Sequence, residues 1–125
     1  MRLLLDSHIL IWLMGEDAHL TAQARALIDG ATAVFASTVS IWELAIKASL
    51  GKLHLDIERL AGLLDAAGIH ELQITRQHVM AVARLPLHHR DPFDRLLIAQ
   101  AIAEHLQLVT ADARLGAYSG LVTLV

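Results

Sequence analysis

The sequence predicts an α/β fold, a parallel sheet with helices on both faces. Three observations carry this. Short apolar runs of strand length alternate along the chain with longer segments of helical period. Cap and stop residues punctuate those segments at the expected places. Hydrophobic residues make up 55% of 125 positions, enough for a substantial core. Aromatics contribute only 4%, so that core must be built from Leu, Ile, Val and Ala.

The elements follow in order. "MRLLLD" reads as a buried strand ending at Asp6, and "SHILIWLMG" as a helix that Gly15 can stop. Thr21 caps a helix through Ile28, which Asp29-Gly30 terminates. "TAVFAS" is the second buried strand. Ser37 or Thr38 then caps a long helix running to about Leu50, with Gly51 as its stop. Asp56 caps "IERLAGLLDAA", which ends at Gly68. "HELQI" alternates like a short strand, and Thr75 caps "RQHVMAVARL". Asp91-Pro92 opens a helix to about His105, with proline at its first position. "QLVTA" is a strand, Asp112 caps a short helical turn, and "LVTLV" is the last strand.

No repeat, linker or low-complexity tract interrupts the pattern, so residues 1–125 are expected to form one domain. Cysteine is absent, which excludes disulfides, zinc–thiolate sites and a thiol nucleophile and suits a reducing cytoplasm. Asp6 cuts short the apolar run at the N-terminus, and no uncharged apolar run approaches ~18 residues, so neither a secretory segment nor a membrane span is expected. The formal net charge of −3 argues against broad electrostatic binding of nucleic acid. It leaves room for a nuclease whose acidic pocket binds cations that in turn bind phosphate.

The chemistry lies in the acids. Asp6 and Asp112 follow apolar strands directly, and in open parallel sheets sites gather beyond the carboxyl ends of strands. Both also have a plain use as caps. Glu43 sits in "STVSIWELAIKASLGK", on one helical stripe with Ser40 and Lys47. That stripe is either a solvated face with a Glu43–Lys47 pair or the lining of a polar pocket. Asp91 is accounted for as an N-cap. Asp94, on the first turn of an apolar helix, is favoured by the helix dipole and rigidly placed at the sheet rim. Thr110 lies two residues before Asp112 and points to the same end of the sheet. Gathered carboxylates repel one another unless a cation neutralises them. An oxygen-only donor set suits a hard divalent ion, Mg²⁺ or Mn²⁺.

In this arrangement the chain resembles the PIN-domain ribonucleases, most closely the VapC-type toxins of bacterial toxin–antitoxin pairs. The segments that carry the resemblance are "LLLDSHILIWL", "ASTVSIWELAIKASLGKL", "LPLHHRDPFDRLLIAQA" and "LVTADARL", in family order over nearly the whole chain. It implies a three-layer α/β/α domain whose central, mostly parallel sheet has four to five strands. It implies that Asp6, Glu43, Asp94 and Asp112 bind Mg²⁺ or Mn²⁺, with Asp6 and Asp94 the firmest direct ligands and Glu43 and Asp112 bound directly or through water. Ser7 and Thr110 match supporting polar positions, and Asp91 stands beside the quartet. The implied activity is hydrolysis of RNA phosphodiester bonds. The implied partner is a cognate antitoxin, with homodimers common among such proteins; "HILIWLM" and "LAGLLDAA" are candidate interface surfaces.

Around the acids, Lys47, Lys52, Arg90 and Arg95 are the nearest cations for holding RNA, unless they are solvated or paired. His88 and His89 read as loop residues, because adjacent positions do not both face one site easily and paired metal ligands favour i, i+4 spacing. His8 reads as structural. Trp12 and Trp42 read as core or interface side chains. Two other classes compete with the nuclease: a receiver-like module phosphorylated on Asp6, and a non-catalytic binding partner with a structural ion. A receiver would normally pair acids near its first strand, where this chain has only Asp6.

Overall fold

The computed structural model describes residues 1–118 and 120–125. Its five strands are β1 (Arg2–Leu5), β2 (Ala33–Ser37), β3 (His70–Leu72), β4 (Gln107–Thr110) and β5 (Val122–Leu124). They form one sheet in the order β3-β2-β1-β4-β5, and every pair is parallel. The helices are α1 (Ser7–Met14), α2 (Ala22–Asp29), α3 (Thr38–Ser49), α4 (Ile57–Ala66), α5 (Arg76–Val82) and α6 (Pro92–Glu104). A 3₁₀ turn, Ala113–Ala117, follows β4.

Strand alternation divides the core in two. Leu3 and Leu5 of β1 and Val109 of β4 face one side, against Ile9, Leu10, Ala24, Leu44, Leu60 and Leu64 of the helices. Leu4 and Leu108 face the other, against Val39, Leu97, Ile98 and Ala101. Leu3, Leu4 and Leu5 are each fully buried, and each such side chain contributes about 1.5–3 kcal/mol. A strand that is apolar on both faces belongs in the middle of a parallel sheet covered on both sides. β1 occupies that place.

The caps form where the residue types predict them. Side-chain oxygens of Asp6, Thr21, Ser37, Asp56, Thr75, Asp91 and Asp112 each accept a bond from a backbone N–H of the first turn that follows. Ser37 settles the choice left open between it and Thr38. Gly51 and Gly68 follow α3 and α4 at φ +72° and +75°, a conformation that disfavours a Cβ. Elsewhere the boundaries differ from the sequence expectation. α5 stops at Val82, three residues short of the apolar pattern's end at Leu85. Arg95 explains this: its Nη2 donates to the carbonyls of Val82 and Leu85 at 3.1 and 3.5 Å, so they need not continue a helix.

One buried polar bridge ties the layers near the site. The Ser37 hydroxyl, at the end of β2, donates to Gln100 Oε1 of α6 at 2.6 Å, and both residues are fully buried. Because each polar group there has its partner, the bridge fixes the height of α6 against the sheet.

Candidate active site

The strand order reverses between β1 and β4. Chain connections run outward from β1 through β2 to β3, and on the other side from β4 to β5. The crevice beyond the carboxyl ends of β1 and β4 is therefore the switch point, where parallel sheets place ligands. The Asp6 N–H donates to the Val109 carbonyl at 3.1 Å, which pins the first acid between those two strands.

A cavity of about 170 Å³ opens there, lined by Asp6, Ser7, His8, Glu43, Lys47, Asp91, Asp94, Asp112 and Arg114. Residues from four distant segments of the chain thus meet in one place. Thr110 lies directly behind it.

Each acid is held differently. Asp6 is nearly buried; its Oδ1 accepts from the Ile9 N–H at 3.0 Å and its Oδ2 from the Thr110 hydroxyl. The Thr110 oxygen also accepts from the Asp112 N–H at 3.1 Å, so one buried hydroxyl links two acids. Burial pushes the Asp6 carboxyl above the usual carboxylate range, the Thr110 and Ile9 bonds draw it partly back, and the Glu43 charge adds to the rise.

Glu43 is 7% exposed, not on a solvated face. The Glu43–Lys47 pair does form, at 2.9 Å, but it uses only Oε2. Oε1 is buried with no hydrogen-bond partner. An orphaned carboxylate oxygen is costly in a folded protein unless something outside the chain completes it.

Asp94 sits on the first turn of α6. Its Oδ2 meets His89 Nε2 at 2.9 Å, and burial raises its carboxyl while His89 opposes the rise; Asp91 and Glu43 add to it. Asp91 caps α6, its Oδ1 accepting from the N–H groups of Phe93 and Asp94 at 2.9 and 3.1 Å, and it still lines the cavity. Asp112 is held low by the Arg114 guanidinium, which grips both its oxygens, with contacts at 3.0, 3.3 and 2.7 Å.

His89 makes a contact that its place in the sequence did not suggest. It is a loop residue, as expected, but its Nε2 meets Asp94 Oδ2 at 2.9 Å. Among the described residues, the group of metal-ligating side chains whose donor atoms all lie within 4.8 Å of one another is His89, Asp94 and Asp112. Asp6 and Glu43 line the same cavity outside that trio. The Tyr118 hydroxyl sets the His89 backbone, accepting from its N–H at 2.6 Å and donating to its carbonyl at 3.0 Å. His88 packs edge-on against the Tyr118 ring at 5.0 Å.

Two cations also differ from expectation. Arg95 is no free RNA contact, since its guanidinium is spent on the Pro86, His89, Val82 and Leu85 carbonyls and the Tyr118 hydroxyl. Arg114, which the sequence reading passed over, lies in the cavity wall. Its position two residues after a capping aspartate was the available signal. Trp42 is 56% exposed and meets Phe93 edge-on at 5.0 Å, so it lies at the surface and not in the core.

The fold and the cavity together define a parallel α/β domain that collects carboxylates from four segments at its switch point. The chain belongs to the PIN-domain family, whose profile matches residues 3–121. Ribonuclease VapC22 of Mycobacterium tuberculosis is 34% identical over 114 residues, which span 90% of this chain and 88% of that protein. The solved structure of VapBC2 from Rickettsia felis bound to a DNA fragment from their promoter superposes with a TM-score of 0.73 at 16% identity, covering 100% of this chain and 98% of that one. VapBC-1 from nontypeable Haemophilus influenzae gives 0.67 at 16% identity, over 99% and 98% of the two chains. At such identities the structures attest the shared fold. The three-layer parallel architecture expected from the sequence is the one found, with five strands.

Proposed function

We propose that this chain, acting as one domain over residues 1–125, is a metal-dependent endoribonuclease toxin restrained by a cognate antitoxin in the cytoplasm. The observation that carries the reading is the single cavity at the switch point into which Asp6, Glu43, Asp94 and Asp112 all project. The 34% identity to a ribonuclease over most of both chains supports the activity. The VapBC structures, which share the fold, support a protein partner and a hetero-oligomer; a homodimer is the alternative assembly. No helix among the described residues is long and apolar enough to cross a membrane.

The residues fit a hard divalent ion, Mg²⁺ or Mn²⁺. The donors are carboxylate oxygens with one imidazole beside them, and Glu43 Oε1 has no other partner. Asp6, Glu43, Asp94 and Asp112 would hold the ion, with Ser7, Asp91 and Thr110 in support. When bound, it supplies an activated water and offsets the charge of the phosphoryl oxygens.

The chain itself contributes orientation. The Ile9 N–H and the Thr110 hydroxyl fix the Asp6 carboxylate. His89 fixes Asp94, and Tyr118 fixes His89. Such preorganisation is what a water-attack reaction needs, since misplacement by about 1 Å costs on the order of 10²-fold in rate. Water attacks phosphorus in line with the departing oxygen, and no covalent protein intermediate forms.

The test is incubation of the purified chain with RNA and Mg²⁺ or Mn²⁺. Cleavage that is lost in both Asp6→Asn and Asp94→Asn is expected. Thermal stabilisation by the ion with no cleavage across a wide set of RNAs would leave a binding protein with a structural ion instead.

A further inference from the structure

We propose that Arg114 grips the RNA phosphodiester, and that it is freed to do so when a divalent cation takes its place on Asp112. This rests on the ribonuclease reading above. Asp112 Oδ1 accepts from the Arg114 peptide N–H and from Nε, both at 3.0 Å; Oδ2 accepts from Nη2 at 2.7 Å and from Nε at 3.3 Å. Both oxygens are therefore occupied by a positive group, while one of them also belongs to the trio with His89 and Asp94. A cation joining Asp112 meets a like charge and lone pairs already in use.

Arg114 is the partner able to move. Its side chain is 68% exposed, against 28% for Asp112. Glu43 makes the contrast. Lys47 occupies only its Oε2, while Oε1 is buried and unpartnered, and Glu43 lines the cavity together with Asp6 and Asp94. A cation on Glu43 Oε1 has no hydrogen-bond partner to displace, but at Asp112 it must compete with the guanidinium.

The released head group has a use. Its planar fork matches a phosphate as it matches a carboxylate. Two residues from Asp112, it stays at the rim of the cavity where the scissile phosphate must lie. A chain of net charge −3 needs such local positive charge to hold RNA beside four acids. The Arg114 backbone N–H, which donates to Asp112 Oδ1 and closes the turn, persists in the alanine and lysine variants, so that bond does not depend on the side chain.

The experiment has two arms, run on wild type, Arg114→Ala and Arg114→Lys. Mn²⁺ alone is titrated calorimetrically, without RNA. Cleavage of a single-stranded RNA is then followed against substrate and salt. Arg114→Ala is expected to bind Mn²⁺ about two- to fivefold more tightly, the fold-change equivalent of an exposed ion pair. It is also expected to raise KM about tenfold and to flatten the dependence of log kcat/KM on log salt by about 0.7, one phosphate's share. Arg114→Lys, a point charge without the fork, is expected to bind Mn²⁺ more tightly than wild type and to show a KM between the two. Unchanged or weaker Mn²⁺ binding by Arg114→Ala overturns the exchange; an unchanged KM and salt slope overturn the phosphate contact. A wild type that binds Mn²⁺ and cleaves RNA, with variants indistinguishable from it, overturns this inference alone. A wild type that does neither overturns the ribonuclease reading with it.

Discussion

Replacing Thr110 by Val tests how far one buried hydroxyl organises the site. The substitution keeps the shape and removes two hydrogen bonds, one donated to the Asp6 carboxylate and one accepted from the Asp112 N–H. Thr110 is fully buried, so water cannot replace them. A bond to a charged group is worth about 1.5–3 kcal/mol and a neutral one about 0.5–1.5, which gives a loss of about 2–4 kcal/mol. In urea unfolding this lowers the midpoint by about 1–2 M, for a slope of about 2 kcal/mol/M. The loss also has a defined pH dependence. The folded-state carboxyl of Asp6 is already raised by burial, so its ionisation weakens the fold as pH climbs through that value. Without Thr110 it rises further. The deficit of Thr110→Val relative to wild type is therefore smaller at mildly acidic pH and larger at neutral pH. Cleavage, followed in single turnover, should fall on the order of 10²-fold because Asp6 and Asp112 both lose a positioning contact. Thr110→Ser should recover most of both losses. A valine variant with wild-type midpoint and rate at neutral pH refutes the reasoning.

Other outcomes follow from the same geometry. Asp94→Asn should abolish cleavage yet stabilise the ion-free protein at neutral pH relative to mild acid, because a group whose folded carboxyl is raised destabilises once ionised, and Asn never ionises; paired thermal scans at the two pH values check the sign. Mn²⁺ at 100 times its dissociation constant should contribute about 2.7 kcal/mol, read as a rise in Tm of about 10 °C. Glu43→Gln should shrink that rise, and an undiminished shift would separate Glu43 from the ion site. His89→Ala should lower kcat more than it changes KM, since His89 orients Asp94 without an evident role in holding RNA; equal effects on both would argue against orientation.

Local chemistry made most of the fold legible. The caps at Thr21, Asp56, Thr75 and Asp91 are set by residues three or fewer positions away, and each formed where the side chain predicted it. β1 was legible because three consecutive leucines fit only a strand covered on both faces. The end of α5 was not, since it depends on Arg95, far along the chain, capturing the Val82 and Leu85 carbonyls. The acids of the site could be picked out because each sits at a strand end or on a first helical turn, save Glu43, whose burial depends on packing. His89 was hidden for a related reason. Its place is set by Tyr118, from a turn beyond β4, and no spacing within "LHHRD" records that contact. Arg114 was concealed by its ordinary appearance, one charge after a cap.

The dispersal of the cavity's walls across the chain has a consequence for synthesis. Asp6 leaves the ribosome more than a hundred residues before Asp112 and Arg114, and β4 must insert beside β1 before they reach the crevice. A nascent chain therefore carries no complete set of acids until Asp112 has been added and β4 has paired with β1.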